Sequence, residues 1–145
     1  MNHDGHDGHE GKHFRMRLKS PLSAQAESAM TRIIECAIKV HRALGPGFLE
    51  SIYKKAMCIA LAKAGLRFEC EKAIGVIYEG VVIHGQRVDL IVEESVVVEL
   101  KSVTRLDEIH YAQVMSYLKG TGLRGGLLIN FRVPVLHRGI KRIVW

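Results

Sequence analysis

Asp89, Glu99 and Lys101 stand in a stretch of sequence that is mostly apolar on either side of Glu93, Glu94 and Ser95. In the segment 87–101, RVDLIVEESVVVELK, Glu99 interrupts a run of valines and a leucine that reads as a core strand. Taking an ionised carboxylate out of water costs several kcal/mol unless it is paired or bound to a metal. Glu99 and Lys101 are two residues apart, so on a strand they project from the same face. If residues 93–95 form a three-residue hairpin loop, Val92 pairs with Val96 and Asp89 falls opposite Glu99 on that face, with side chains roughly 5 Å apart. Two carboxylates that close repel, and a hard divalent cation relieves the repulsion. Oxygen donors of this kind suit Mg2+ or Mn2+ rather than zinc. A two-residue loop would send Asp89 and Glu99 to opposite faces. The competing arrangement is an ion pair between Glu99 and Lys101, with Asp89 serving Arg87.

The elements that must position these groups follow from periodicity. Ser23 can cap a helix over about 23–43, where Met30, Ile33, Ile34, Ala37, Ile38 and Val40 form a 3.6-residue stripe. Residues 44–47, LGPG, break it. A second helix is expected over 48–64, with Leu49, Ile52, Tyr53, Ala56, Ile59 and Ala60 inward and Gly65 as its stop. From Arg67 the period changes to two. Strands are expected over 67–79, 81–92 and 96–101, the first two joined by a Glu79-Gly80 turn. Thr104 and Asp107 resemble a capping box before a helix over 107–119, ended by Gly120 and Gly122. A fully apolar strand over 127–130 reads as central, and 133–144 as a last strand or hairpin arm. The order α-α-β-β-β-α-β-β is that of an α/β (α+β) domain, a mixed sheet with helices packed on it.

The chain has 145 residues, enough for one domain with a real core. Residues 2–11, NHDGHDGHEG, hold no apolar side chain, so 1–20 is expected to be a disordered tail and 21–145 the folded domain. His3, His6, His9 and His13 could bind a soft divalent ion weakly, though a solvated tail is the plainer reading. Of the +6 net charge, +5 belongs to the folded part, and Arg132, Arg138, Lys141 and Arg142 have no acidic residue among them. Such a patch suits a polyanionic partner, or is simply a solvated face. No stretch approaches the roughly 18 apolar residues a membrane helix needs, so no membrane contact is expected. The polar N-terminus has no secretory pattern, which points to the cytoplasm. Cys36, Cys58 and Cys70 have no CxxC spacing and read as structural thiols.

Asp89 followed by Glu99 and Lys101 at the end of an apolar strand resembles the D…(D/E)xK signature of the PD-(D/E)xK phosphodiesterases, with Val88 where a Pro is usual. Gly47, Glu50 and Tyr53, in GFLESIY, match the defining motif of the small GxxExxY family within that superfamily. The likeness spans about 25–144, including YEG at 78–80 and LLINF at 127–131. It implies a restriction-endonuclease-like core and a metal-dependent nuclease, a hydrolase acting on DNA or RNA. Mg2+ or Mn2+ would be held by Asp89, Glu99 and Glu50, and Lys101 would assist the attacking water. Tyr53 would brace the site, and Gln113 and Tyr117 resemble a QxxxY element that some superfamily nucleases carry on the following helix. Gly47 is expected to let the chain turn tightly into its helix. Neither His41 nor His110 is assigned a catalytic role. No recognition helix or stacking platform is visible, so dimerisation or a protein partner is kept open. So is a non-catalytic module that binds nucleic acid or protein on the same fold, and an RNA-directed, toxin-like accessory protein.

Overall fold

A computed structural model describes residues 20–145, so the histidine-rich segment lies outside the described residues. Three helices and five strands follow in the order α1 (Ala24–Leu44), α2 (Glu50–Lys63), β1 (Phe68–Tyr78), β2 (Val81–Val92), β3 (Val96–Lys101), α3 (Glu108–Thr121), β4 (Gly125–Asn130) and β5 (Ile140–Val144). A short 3-10 turn, Leu136–Gly139, precedes β5 within the span expected to be one strand or hairpin arm.

The strands form one sheet in the order β1-β2-β3-β4-β5. β3 and β4 are parallel and every other pair is antiparallel. The parallel pair needs a crossover, which α3 supplies. This mixed sheet flanked by helices is the α/β arrangement expected of a restriction-endonuclease-like core.

Strand alternation sorts the two faces. Leu90, Val92, Val96, Val98 and Leu100 pack with α1 and α2. Ile91, Val97 and Leu128 pack with Val114, Tyr117 and Leu118 of α3. β4 is buried along its whole length, as its unbroken apolar reading requires.

Helix ends obey local chemistry. Ser23 Oγ accepts from the Ala26 N–H at 3.1 Å and caps α1. Gly45 stops it at φ 73, a conformation that favours glycine, with its N–H donating to His41 O. That corrects the role expected of Gly47, which has no positive φ and open space around a would-be Cβ. The capping box of α3 is also shifted by one turn: Asp107 and His110 form it, and the Asp107 N–H donates to His110 Nδ1 at 2.9 Å. On α2 the inward face is Tyr53, Met57 and Leu61, whereas Leu49, Ile52 and Ile59 are exposed. Both stripes are apolar, so helical periodicity alone could not choose between them. Cys36 is buried, and the Cys58 and Cys70 thiols meet at 2.9 Å between α2 and β1.

Candidate metal centre

The hairpin joining β2 to β3 sets the geometry of the cluster. Val92 pairs with Val96, Ile91 with Val97 and Leu90 with Val98, so residues 93–95 are a three-residue loop. Glu93 and Glu94 both take φ 53, unusual for side-chain-bearing residues. Glu93 is held there by Arg67, whose guanidinium and backbone N–H both donate to its carboxylate. The ladder stops at Leu90–Val98. At the next step the Leu100 N–H donates to Asp89 Oδ2 at 2.8 Å, so a side chain caps β3 where the two strands part. Asp89 therefore sits on β2 at the mouth of that opening, and Glu99 and Lys101 lie on β3 beside it.

α2 touches both β3 and β1, and its first two turns carry Glu50 and Lys54 to the same opening. Carboxylate oxygens of Glu50, Asp89 and Glu99 all lie within 4.8 Å of one another, and no other such group of His, Cys, Asp or Glu donors occurs among the described residues. Asp89 and Glu99 are buried, while Glu50 is half-buried. Lys101 Nζ stands 3.4 Å from Glu99 Oε1 and 4.0 Å from Glu50 Oε1. Glu99 Oε2 is buried with no hydrogen-bond partner. Burial, and then the Asp89 charge, push the Glu99 carboxyl up to about 8, against the pull of Lys101.

These observations test the fit of a cation. A buried acid oxygen without a donor is costly, and a metal would relieve it. Oxygen ligands about 2.1 Å from an octahedral Mg2+ stand roughly 3 Å apart when adjacent and 4.2 Å when opposite. The three carboxylates are thus within small side-chain adjustments of a shared ion. The donor set is all oxygen, which suits a hard divalent cation.

Sequence reasoning missed Lys54, whose Nζ is 2.7 Å from Asp89 Oδ1 and 3.4 Å from Glu71 Oε1. Asp89 is paired with this lysine, not with Arg87. Burial works against the Lys54 charge, but the Asp89 carboxylate outweighs it and holds the ammonium above its ordinary pKa. The available signal was the i, i+4 spacing from Glu50, which puts both on one helical face.

Tyr53 is fully buried. Its ring stacks on Phe131 at 4.4 Å, and its hydroxyl donates to Gly45 O and accepts from the Phe48 N–H. Those contacts fix the loop that enters α2 directly before Glu50. On α3, Tyr117 is buried and its hydroxyl is pushed up to about 12, by burial first and then by the charges of Glu99 and Asp89. The Gln113 side chain, one helical turn away, works the other way. Tyr117 thus faces the cluster from the helix over β3.

The basic residues divide. Two clefts meet at Thr104 and Arg105, just beyond Lys101; one reaches Arg132, the other Arg138 and Lys141. Buried Asn130 ties this region together, accepting from Val103 N–H and Arg132 N–H and donating to Val103 O. Arg142 is elsewhere, its guanidinium engaged by Glu27 and Ser20 at the start of α1. Arg105 was missed because it lies outside the C-terminal run.

Among the described residues no helix is long and apolar enough to cross a membrane. A family model described as the PD-(D/E)XK nuclease superfamily matches residues 27–143. No curated protein and no solved structure matches the chain.

Proposed function

Because the chain belongs to the PD-(D/E)XK nuclease superfamily, we propose that it is a metal-dependent phosphodiesterase of the GxxExxY type, cutting DNA or RNA at its acidic cluster. The observation that carries this reading is the convergence of Glu50, Asp89 and Glu99 beside Lys101, with one buried carboxylate oxygen left without a donor.

Asp89 and Glu99, with Glu50, would hold Mg2+ or Mn2+. When bound, such an ion polarises a phosphate oxygen and makes water at the site more acidic. Lys101, within 4 Å of both Glu99 and Glu50, orients the attacking water and donates to the charge that builds on phosphorus-bound oxygen. Glu99 takes part as a carboxylate once its proton has left. Tyr53 keeps Glu50 in place by fixing the turn before α2.

The test is direct. Labelled single- and double-stranded DNA and RNA are incubated with the protein in Mg2+, Mn2+ or EDTA. Cleavage with metal and none with EDTA supports the reading; binding without cleavage in any metal supports a non-catalytic module on the same fold.

Lys54 and an ion compete for Asp89 Oδ1 on this view. Lys54→Met is expected to tighten Mn2+ binding by roughly 3–10-fold, the effect of about 1 kcal/mol of lost competition. Calorimetry measures it. Weaker binding would show that Lys54 holds Asp89 in place instead of competing for it.

Arg105, Arg132, Arg138 and Lys141 are proposed to hold the phosphate backbone without reading bases. Arg105→Ala with Arg132→Ala should weaken nucleic-acid binding by roughly tenfold or more and flatten its salt dependence by about one unit of log–log slope per lost contact. Arg142→Ala, which breaks the pair with Glu27, should leave binding unchanged. Fluorescence anisotropy across a salt series separates the two variants.

A further inference from the structure

α2 meets β1 through two adjacent residues of the strand. Cys70 lies against Cys58 with the sulfurs 2.9 Å apart, and Glu71 Oε1 lies 3.4 Å from Lys54 Nζ. Neighbouring residues of a regular strand point to opposite faces. Here Cys70 keeps its place in the ladder opposite Leu90, whereas Glu71 takes φ 51 and drops out of it. That conformation is uncommon for a residue with a side chain, and it lets both side chains reach the helix. Lys54 and Cys58 are one turn apart on α2, so they meet β1 from one helical face.

Lys54 is itself pinned, to Glu71 and at 2.7 Å to Asp89, which holds the helix in register one turn before the sulfurs. About 0.9 Å of side-chain closure brings the sulfurs to the disulfide bond length of about 2.05 Å. Cys70 is exposed and Cys58 half-buried, so a small reagent can reach the first of them from solvent. Cys36 is different: it is buried in α1, and its thiol donates to Ala60 O at 3.7 Å.

We propose that Cys58 and Cys70 are a redox-active pair that closes to a disulfide by exchange with a low-molecular-weight disulfide and ties α2 to β1. The Cys70 thiolate attacks one sulfur of the small disulfide, whose S–S bond breaks and releases one thiolate. Cys58, its proton given up to solvent, then attacks the Cys70 sulfur, and the second small thiolate leaves. Two protein thiols are oxidised by two electrons, the small disulfide is reduced to two thiols, and the two protons end on those thiols. The order of attack follows from the surroundings. Burial first, and then the hydrogen bond and charge of Cys70, raise the Cys58 thiol above its ordinary pKa, so Cys58 does not start the exchange. Capping Cys70 removes the last two of these causes, and Cys58 ionises more readily at the second step. The tether closes on the helix that carries Glu50 and Lys54, but its chemistry uses none of the acidic cluster, so it is tested apart from the phosphodiesterase reading.

The full chain is equilibrated with mixtures of reduced and oxidised glutathione, unfolded, alkylated and mapped by peptide mass spectrometry. The expected product is one Cys58–Cys70 bond within the chain, two hydrogens lighter than the reduced protein, with Cys36 alkylated as a free thiol. Linking positions 12 apart in sequence should raise the melting temperature by roughly 10 °C, and dithiothreitol should restore the reduced value. Cys58→Ser should stop after the first step, with glutathione left on Cys70 and no rise in melting temperature. Should that variant fail to fold, the mapping and melting of the wild type carry the test. Cys58 and Cys70 both alkylated at every glutathione ratio overturn the proposal. So does glutathione retained on wild-type Cys70, a bond that joins two chains instead of one, or an oxidised protein that melts with the reduced one.

Discussion

Lys101→Ala is expected to slow metal-dependent phosphodiester cleavage by roughly 10^2–10^4-fold, the range for losing a positioned proton carrier or oxyanion donor, while Mn2+ still binds. The ammonium lies 3.4 Å from Glu99 Oε1 and 4.0 Å from Glu50 Oε1, so its removal leaves the acids in place and adds to their negative field. Metal affinity should therefore hold or rise. Asp89→Asn is the informative contrast. The asparagine carbonyl can still accept from the Leu100 N–H, so the strand end stays capped and the fold is kept. What is lost is one ligand charge, and cleavage and metal binding should fall together. If Lys101→Ala cleaves at the wild-type rate, the lysine is only a counter-ion for Glu99. If Asp89→Asn binds Mn2+ as tightly as wild type, the cluster is not the metal site.

The distinction matters because the sequence permitted a purely structural arrangement, Glu99 with Lys101 and Asp89 with Arg87. Half of that arrangement is present: Glu99 does contact Lys101. The other half is not, since Asp89 is paired with Lys54 and caps Leu100. An ion pair satisfies one Glu99 oxygen and leaves the other buried without a donor. Pairing alone leaves that oxygen unsatisfied; a proton retained on the raised carboxyl, or a cation in its place, would satisfy it.

How far the sequence foretold this geometry depended on the kind of signal. The strand register was legible only conditionally: β3 is buried on both faces, so its consecutive valines fit either register and the choice rested on the loop length. A three-residue loop was the count that kept Asp89 and Glu99 together, and Arg67 clamping Glu93 is the contact that holds it. No local pattern announces a clamp between residues 67 and 93. Lys54 was illegible for a related reason: a lysine on a helix reads as solvated until a partner strand brings a carboxylate to it. α2 was misjudged in part because its apolar residues cover most of its circumference, and only packing into the core that includes Leu66, Leu90 and Leu100 selects the Tyr53, Met57 and Leu61 stripe. Charge runs misled in the opposite direction. Arg142 belongs by sequence with Arg138 and Lys141, yet alternation along β5 turns it to α1 and Glu27.

The metal-free protein should lose stability as pH rises from about 6 to 8.5, which is the reverse of ordinary acid denaturation. Glu99 has its carboxyl raised from 4.5 to about 8, by burial first and the Asp89 charge second. A folded-state pKa above the unfolded value means the native chain holds this proton more tightly. Its contribution to stability is complete below pH 4.5 and disappears as pH passes through about 8. Across the window the loss amounts to about 2 kcal/mol, or close to 8 °C in Tm for a domain of this size. Glu99→Gln keeps a neutral side chain at every pH, so subtracting its curve removes histidines and other groups that titrate in the same range. Divalent metal should reverse the slope, because ligands must be deprotonated to bind and a cation at 100 times its Kd adds about 2.7 kcal/mol. Thermal melts of wild type and Glu99→Gln, with EDTA and with Mn2+, read all four curves. A wild-type curve in EDTA that runs parallel to that of Glu99→Gln would mean Glu99 is ionised in the resting protein. Lys101 would then outweigh burial at Glu99, and the proton that a metal must displace there would be absent.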